Sequence, residues 1–135
     1  MSQYMNLIGQ NAKKASLEKV NTSLKNKILK RYALLLDKEK DSIIKANTKD
    51  VKFAQKKGLK NNLIDRLTID SKKLDNIRNS IKKIIKLKDP VDNTLEKWSR
   101  PNGLKIKRVS IPIGVIGVIY ESRPNVTSDV ASLCF

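Results

Sequence analysis

Residues 113–130 read IGVIGVIYESRPNVTSDV, and how this stretch is read decides the fold. Ile113 to Ile119 is nearly all apolar, short and continuous. Such a run fits a strand of a parallel sheet buried on both faces. Tyr120 to Asn125 then places an acid, a hydroxyl, an Arg-Pro pair and an amide in one corner. Val126, Val130 and Leu133 resume apolar spacing at helical period. The unit is strand, polar turn, helix, which belongs to an α/β fold. Gly114 and Gly117 allow close approach of backbone or helix within the run. They lie inside the strand and do not form GxGxxG, so packing is preferred over a phosphate cradle.

Upstream, Thr94–Ser99 and Leu104–Ile111 flank Pro101-Asn102-Gly103, a hairpin signal in which Asn-Gly supplies positive φ angles. Leu104, Ile106 and Val109 alternate with basic residues, so one face of that arm is wet. Before Lys88 the patterns are helical. Tyr4, Leu7, Ile8, Ala12 and Ala15 fit a first helix. Asn21-Thr22-Ser23 caps a second, with Leu24, Ile28, Leu35 and Leu36 on one face. Asp37 caps a third that breaks at Asn47-Thr48 and ends at Gly58. Residues 61–67 form a short turn of helix. Asp70 or Ser71 caps a strong helix carrying Leu74, Ile77, Ile81, Ile84 and Ile85, closed by Asp89-Pro90.

The chain has 135 residues, 39% hydrophobic and 31% charged, enough for one domain with a modest core. The formal net charge is +16, which could be the footprint of a nucleic-acid binder. Its distribution argues otherwise. The lysines are dispersed over the polar sides of helices, six of the 29 basic residues are arginine, and aromatics are 4%. Base reading and strand stacking favour arginine and aromatic side chains. Nucleic acid is therefore not expected as a partner. The single cysteine, Cys134, excludes an internal disulfide, and the absence of histidine excludes a His-based triad or zinc site. No metal site is expected. No stretch has the length of a signal peptide core or a membrane span, so the reading is cytoplasmic.

In open α/β sheets ligands bind beyond the carboxyl ends of strands. Glu121, Ser122, Arg123, Pro124 and Asn125 stand there and form the rim of a site. Asn125 either presents an amide N–H to a carbonyl oxygen that gains negative charge, or caps the helix that follows. Arg123 either forks onto a phosphate or carboxylate, or pairs with Glu121 or Asp129. Tyr120 either packs on a cofactor ring or sits in the core with its hydroxyl bonded. Cys134, on or near the apolar face of its helix, reads as a small core residue rather than a nucleophile.

Residues 101–134, PNGLKIKRVSIPIGVIGVIYESRPNVTSDVASLC, closely resemble the gamma-glutamyl phosphate reductase family of the aldehyde dehydrogenase superfamily. Ala46-Asn47, Asp50, Ala54, Gly58 and Asp65-Arg66-Leu67 follow the order of that family's helical N-terminus. The resemblance covers essentially the whole chain and implies an N-terminal portion only. The fold it implies is the helical segment, hairpin arm and first parallel strand of an aldehyde-dehydrogenase-like Rossmann-type domain, truncated. Residues 1–93 would be the helical part of the cofactor-binding domain. Residues 94–111 would be an oligomerisation hairpin, and 112–135 the inner strand, active-site turn and start of a helix.

The activity implied is NADPH-dependent reduction of gamma-glutamyl phosphate to glutamate-5-semialdehyde, in proline biosynthesis, through a cysteine thioester. By resemblance, Asn125 is the oxyanion candidate. Tyr120, Glu121, Ser122 and Pro124 would line the nicotinamide end of the cofactor cleft, and Arg123 would bind substrate. The full-length protein would be a homo-oligomer. The nucleophilic cysteine and the strand holding the adenosine ribose would lie downstream of Phe135, so the chain alone is expected to be inactive. The alternatives are a basic helical module binding nucleic acid or another acidic surface, and an interaction fragment without chemistry.

Overall fold

The computed structural model describes residues 3–121 and 123–135. These residues form six helices and one two-stranded sheet, gathered in two compact units. One unit combines residues 3–19 with Lys88–Gly117, and the other combines Val20–Leu87 with Val118–Phe135.

The larger unit is helical. Helix α2 (Thr22–Lys38) begins where Asn21 accepts the Leu24 backbone N–H at 2.9 Å, which satisfies one of the free donors of the first turn. Helix α3 (Lys40–Lys56) follows after one residue. Its N-cap is Glu39, without a side-chain bond, whereas the sequence pointed to Asp37. Asp37 is engaged elsewhere: it pairs with Arg78 of α5 (Ser71–Ile85). The break expected at Asn47-Thr48 is absent, and α3 runs through it. The Thr48 hydroxyl donates back to the Ile44 carbonyl one turn earlier, a bond compatible with a continuing helix, and the Asn47 side chain bonds outside its own helix.

Helix α3 ends as the sequence suggests. Gly58 has φ +71°, its N–H donates to the Gln55 carbonyl, and the Leu59 N–H donates to the Ala54 carbonyl. This is a Schellman motif with glycine in the left-handed position, where a Cβ would be strained. Helix α4 (Asn61–Leu67) is short. Asp70 caps α5 by accepting the Lys73 backbone N–H at 2.6 Å. Helix α5 closes at Ile85, before the Asp89-Pro90 stop expected from the sequence.

The core of this unit lies between α2 and α5. Leu29 and Ala33 meet Ile69, Leu74, Ile77 and Ile81, with Tyr32, Leu36, Ile43, Ile44, Ile84 and Ile85 packed around them. Ile81 is 1% exposed. Burial of a side chain of that size contributes about 1.5–3 kcal/mol. Arg78 adds polar ties at the edge of the core, reaching Asp37 and, at 3.1 Å, Asp75.

Helix α6 (Pro124–Cys134) packs against α5 with an unexpected face. Ser128 and Ser132 are buried, Val126 and Val130 are half-buried, and Leu133 is 66% exposed. Cys134 is exposed, not the core residue expected from its sequence position. Side chains as small as serine permit close helix approach at a buried face. Neither serine hydroxyl has a hydrogen-bond partner among the described residues.

In the other unit, α1 (Gln3–Ala15) has no buried residue. Strands β1 (Thr94–Ser99) and β2 (Lys105–Val109) pair antiparallel, with Trp98 opposite Ile106 and an irregularity at Leu95. Glu96 stands opposite Arg108 and pairs with it at 3.6 Å. The Gly103 N–H donates to the Arg100 carbonyl, the Arg100 N–H donates to the Leu104 carbonyl, and Gly103 has φ +82°. Asn102 keeps a negative φ. The turn is a type I turn with a glycine bulge, not the tight Asn-Gly turn with two positive φ angles. Pro101 sets φ near −65° at the position a type I turn requires. Both faces of the hairpin are largely wet; Ile106 is half-buried.

Residues 113–119, expected as a buried strand, carry no regular secondary structure and are exposed. Ile113 is 88% exposed and Ile119 fully so. The physical reason is partner supply: the sheet holds only β1 and β2, and a lone strand leaves its N–H and C=O groups to water. A Cβ on Gly114 or Gly117 would meet open space, so close approach does not explain these glycines here. Gly114 does adopt φ +99°, a conformation that favours glycine. No helix among the described residues is long and apolar enough to cross a membrane.

Candidate active site

The corner between Ile119 and Val126 lies at the surface. Pro124 occupies the first position of α6, where its missing N–H costs nothing and its fixed φ suits the helix. Arg123 is the N-cap and forms no side-chain cap bond. Asn125 is thus not the N-cap that its local spacing allowed. It sits within the first turn, and its Nδ2 donates to Asp129 Oδ2 at 3.3 Å. An amide nitrogen carries two N–H groups. The long contact to Asp129 uses one and orients the amide, leaving the second free to donate.

Arg123 forms no ion pair among the described residues, with Glu121, Asp129 or any other carboxylate, so its fork is free to take an anion. Tyr120 is 45% exposed, and its hydroxyl lies 2.9 Å from the Thr127 hydroxyl. That bond holds the ring against the first turns of α6 with a face open. Ser122 lies outside the described residues.

The corner forms one wall of an open groove of about 880 Å³. Tyr120, Glu121, Arg123, Pro124 and Thr127 supply this wall. Helix α3 lines the same groove through Ile43, Ala46, Asn47, Asp50, Phe53 and Ala54. Leu59, Leu67 and Ile69 complete it. Four of the residues singled out from the sequence therefore share one groove: Tyr120, Glu121, Arg123 and Pro124. Asn125 does not line it and stands one position beyond Pro124.

The α3 wall was not read as part of a site from the sequence. Its organising residue is Asn47, 7% exposed. Asn47 Nδ2 donates to the Leu67 carbonyl at 2.9 Å, and its Oδ1 accepts the Ile69 N–H at 2.7 Å. One side chain thus substitutes for a backbone partner on both sides of Thr68 and fastens the end of α4 to α3. The only available signal was an asparagine on the buried side of a helix, where an amide needs partners.

A half-open ring at Tyr120, a guanidinium without an ion pair among the described residues and apolar lining from α3 give the groove the chemistry to take a flat ring and a small anion. No group of three His, Cys, Asp or Glu among the described residues is placed to hold a metal ion.

No family model matches the chain. Individual relatives do. The gamma-glutamyl phosphate reductase of Thermodesulfovibrio yellowstonii is 50% identical over 118 residues, 87% of this chain and 28% of that protein. That of Caldanaerobacter subterraneus is 48% identical over 125 residues, 91% of this chain and 30% of that protein. The chain spans under a third of the length of these curated relatives. Among solved structures, gamma-glutamyl phosphate reductase from Thermotoga maritima matches with a TM-score of 0.87 at 41% identity, covering 92% of this chain and 30% of that one. The Saccharomyces cerevisiae enzyme matches with a TM-score of 0.89 at 31% identity, covering 98% and 34%. Sequence and backbone agree, and over nearly its whole length this chain is homologous to a portion of the gamma-glutamyl phosphate reductases.

Proposed function

We propose that this chain supplies the substrate-facing corner of an NADPH-dependent reductase that converts gamma-glutamyl phosphate to glutamate-5-semialdehyde in proline biosynthesis. The observation that carries the reading is the placement of the Tyr120–Pro124 corner. It opens into a groove with a free guanidinium, in a chain homologous to reductases of that name. A corner sealed inside the helical core would not admit a substrate.

In this reaction a thiolate supplied from outside these residues attacks the acyl carbon. A carbon–sulfur bond forms, the carbon–oxygen bond to phosphate breaks, and inorganic phosphate leaves. When bound, NADPH supplies the hydride that reduces the thioester to the aldehyde and returns the thiolate. The chain's own residues bind and orient. Arg123 holds an anionic group of the substrate, the phosphate or the carboxylate, as a fork. Asn125 turns its second amide N–H toward the acyl oxygen as charge develops there in both steps. Asp129 keeps that amide from rotating. Tyr120, with Pro124 and Glu121, shapes the nicotinamide end of the cleft. Cys134, exposed on α6, is not assigned the nucleophile's role. The 135 residues alone are accordingly expected to be inactive. The protein is read as cytoplasmic and homo-oligomeric, with the hairpin as its association arm.

The test is Asn125→Ala in a catalytically complete protein carrying this sequence. Turnover falls about a hundredfold or more with KM little changed, as for other oxyanion donors. Unchanged turnover overturns the assignment. The basic helical module binding nucleic acid receives no support from the relatives described above, which carry the reductase name.

A further inference from the structure

We infer that Asp50 is the residue that selects an amino-acid substrate, by pairing with its α-ammonium group. The inference rests on the reductase reading above and adds a specificity-determining contact to it.

The chain carries 29 basic and 13 acidic residues, yet no lysine lines the groove. Its charged lining is two carboxylates, Asp50 and Glu121, and one guanidinium, Arg123. Asp50 forms no ion pair or hydrogen bond among the described residues. In a protein of this charge, an acid left without a cation on the wall of a groove is available to a cationic ligand. With Asp50 on α3 and Arg123 in the corner before α6, the lining offers both a carboxylate and a guanidinium, which complements a small zwitterion rather than a plain anion.

Asp50 and Glu121 are not equivalent. Glu121 stands in the corner before α6 and neighbours the proposed nicotinamide end. Asp50 stands on α3, one turn beyond Asn47, whose two hydrogen bonds to the 67–69 segment pin that turn of helix. A carboxylate on a pinned helical turn costs less ordering when it meets its ligand. With Arg123 holding an anionic group, an ammonium on the same molecule needs a counter-charge.

The experiment titrates the isotope-labelled full chain with L-glutamate and with glutarate, the same diacid without the amino group, and follows backbone amide shifts. Wild type binds L-glutamate more tightly than glutarate. Asp50→Asn, an isosteric change at an exposed position, weakens L-glutamate about tenfold and leaves glutarate unchanged. Asp50→Glu keeps part of the preference, whereas Arg123→Ala weakens both ligands. Equal wild-type affinity for the two diacids overturns the inference. So does an Asp50→Asn change that affects both or neither. In those cases the reductase reading stands, because its own test is turnover of the Asn125 variant. Absence of binding by either ligand overturns the groove as the substrate's seat altogether.

Discussion

Two stretches of this chain are rich in isoleucine and meet opposite fates. On α5, Leu74, Ile77 and Ile81 are buried against α2. Between 113 and 119, three isoleucines and two valines stand at the surface. Hydrophobicity does not separate them, since the second stretch is the more apolar. Hydrogen bonding does. A helix closes its backbone bonds within itself and can bury one face against any complementary helix. A strand must borrow its partners from elsewhere in the chain or assembly. The lesson is that burial here follows the supply of backbone partners first and side-chain character second.

That contrast can be broken most directly at its buried end. Ile81→Ala should lower unfolding free energy by about 2–5 kcal/mol, read from chemical denaturation, because it combines lost burial with a cavity. A loss below about 1 kcal/mol would mean that α2 and α5 do not form the core in solution. A smaller effect is expected at the hinge between core and groove. Asn47→Ala removes the partners of the Ile69 N–H and the Leu67 carbonyl, and because the carbonyl is only part-buried the loss should be about 1–3 kcal/mol in all. Faster amide exchange at Ile69 should accompany the loss, and unaltered exchange would remove Asn47 as the brace. The smallest effect belongs to the exposed stretch. Ile116→Asp should change stability by no more than about 0.5 kcal/mol, as at other surface positions. A large destabilisation would show that residues 113–119 are covered in solution.

Much of the helical half was legible from residues alone. Asn21 and Asp70 cap the helices that the sequence assigns to them, and Gly58 closes α3 because no other residue adopts its φ as readily. These are local interactions within a few positions, so the local pattern carries them. Errors arose where a side chain had a distant alternative. Asp37 left its cap for Arg78, 41 positions away, and Asn47 left its own helix for residues 67 and 69. At α6 the apolar pattern misled. The face against α5 is set by which side chains are small enough for close approach, and those are Ser128 and Ser132.

The candidate site divides in the same way. Tyr120, Glu121, Arg123, Pro124 and Asn125 were visible as a polar corner after an apolar run. Their partner wall on α3 was not, since nothing in a linear pattern brings position 50 beside position 123.

The sequence by itself determined the helices, the caps at Asn21, Gly58 and Asp70, the hairpin and the polar corner, because each depends on dihedral preferences and contacts a few residues apart. Tertiary structure alone decided which faces are buried, that Asn47 braces α3 and that Asp50 shares a groove with Arg123. Those outcomes depend on which distant groups compete for the same hydrogen bonds and the same dry surface.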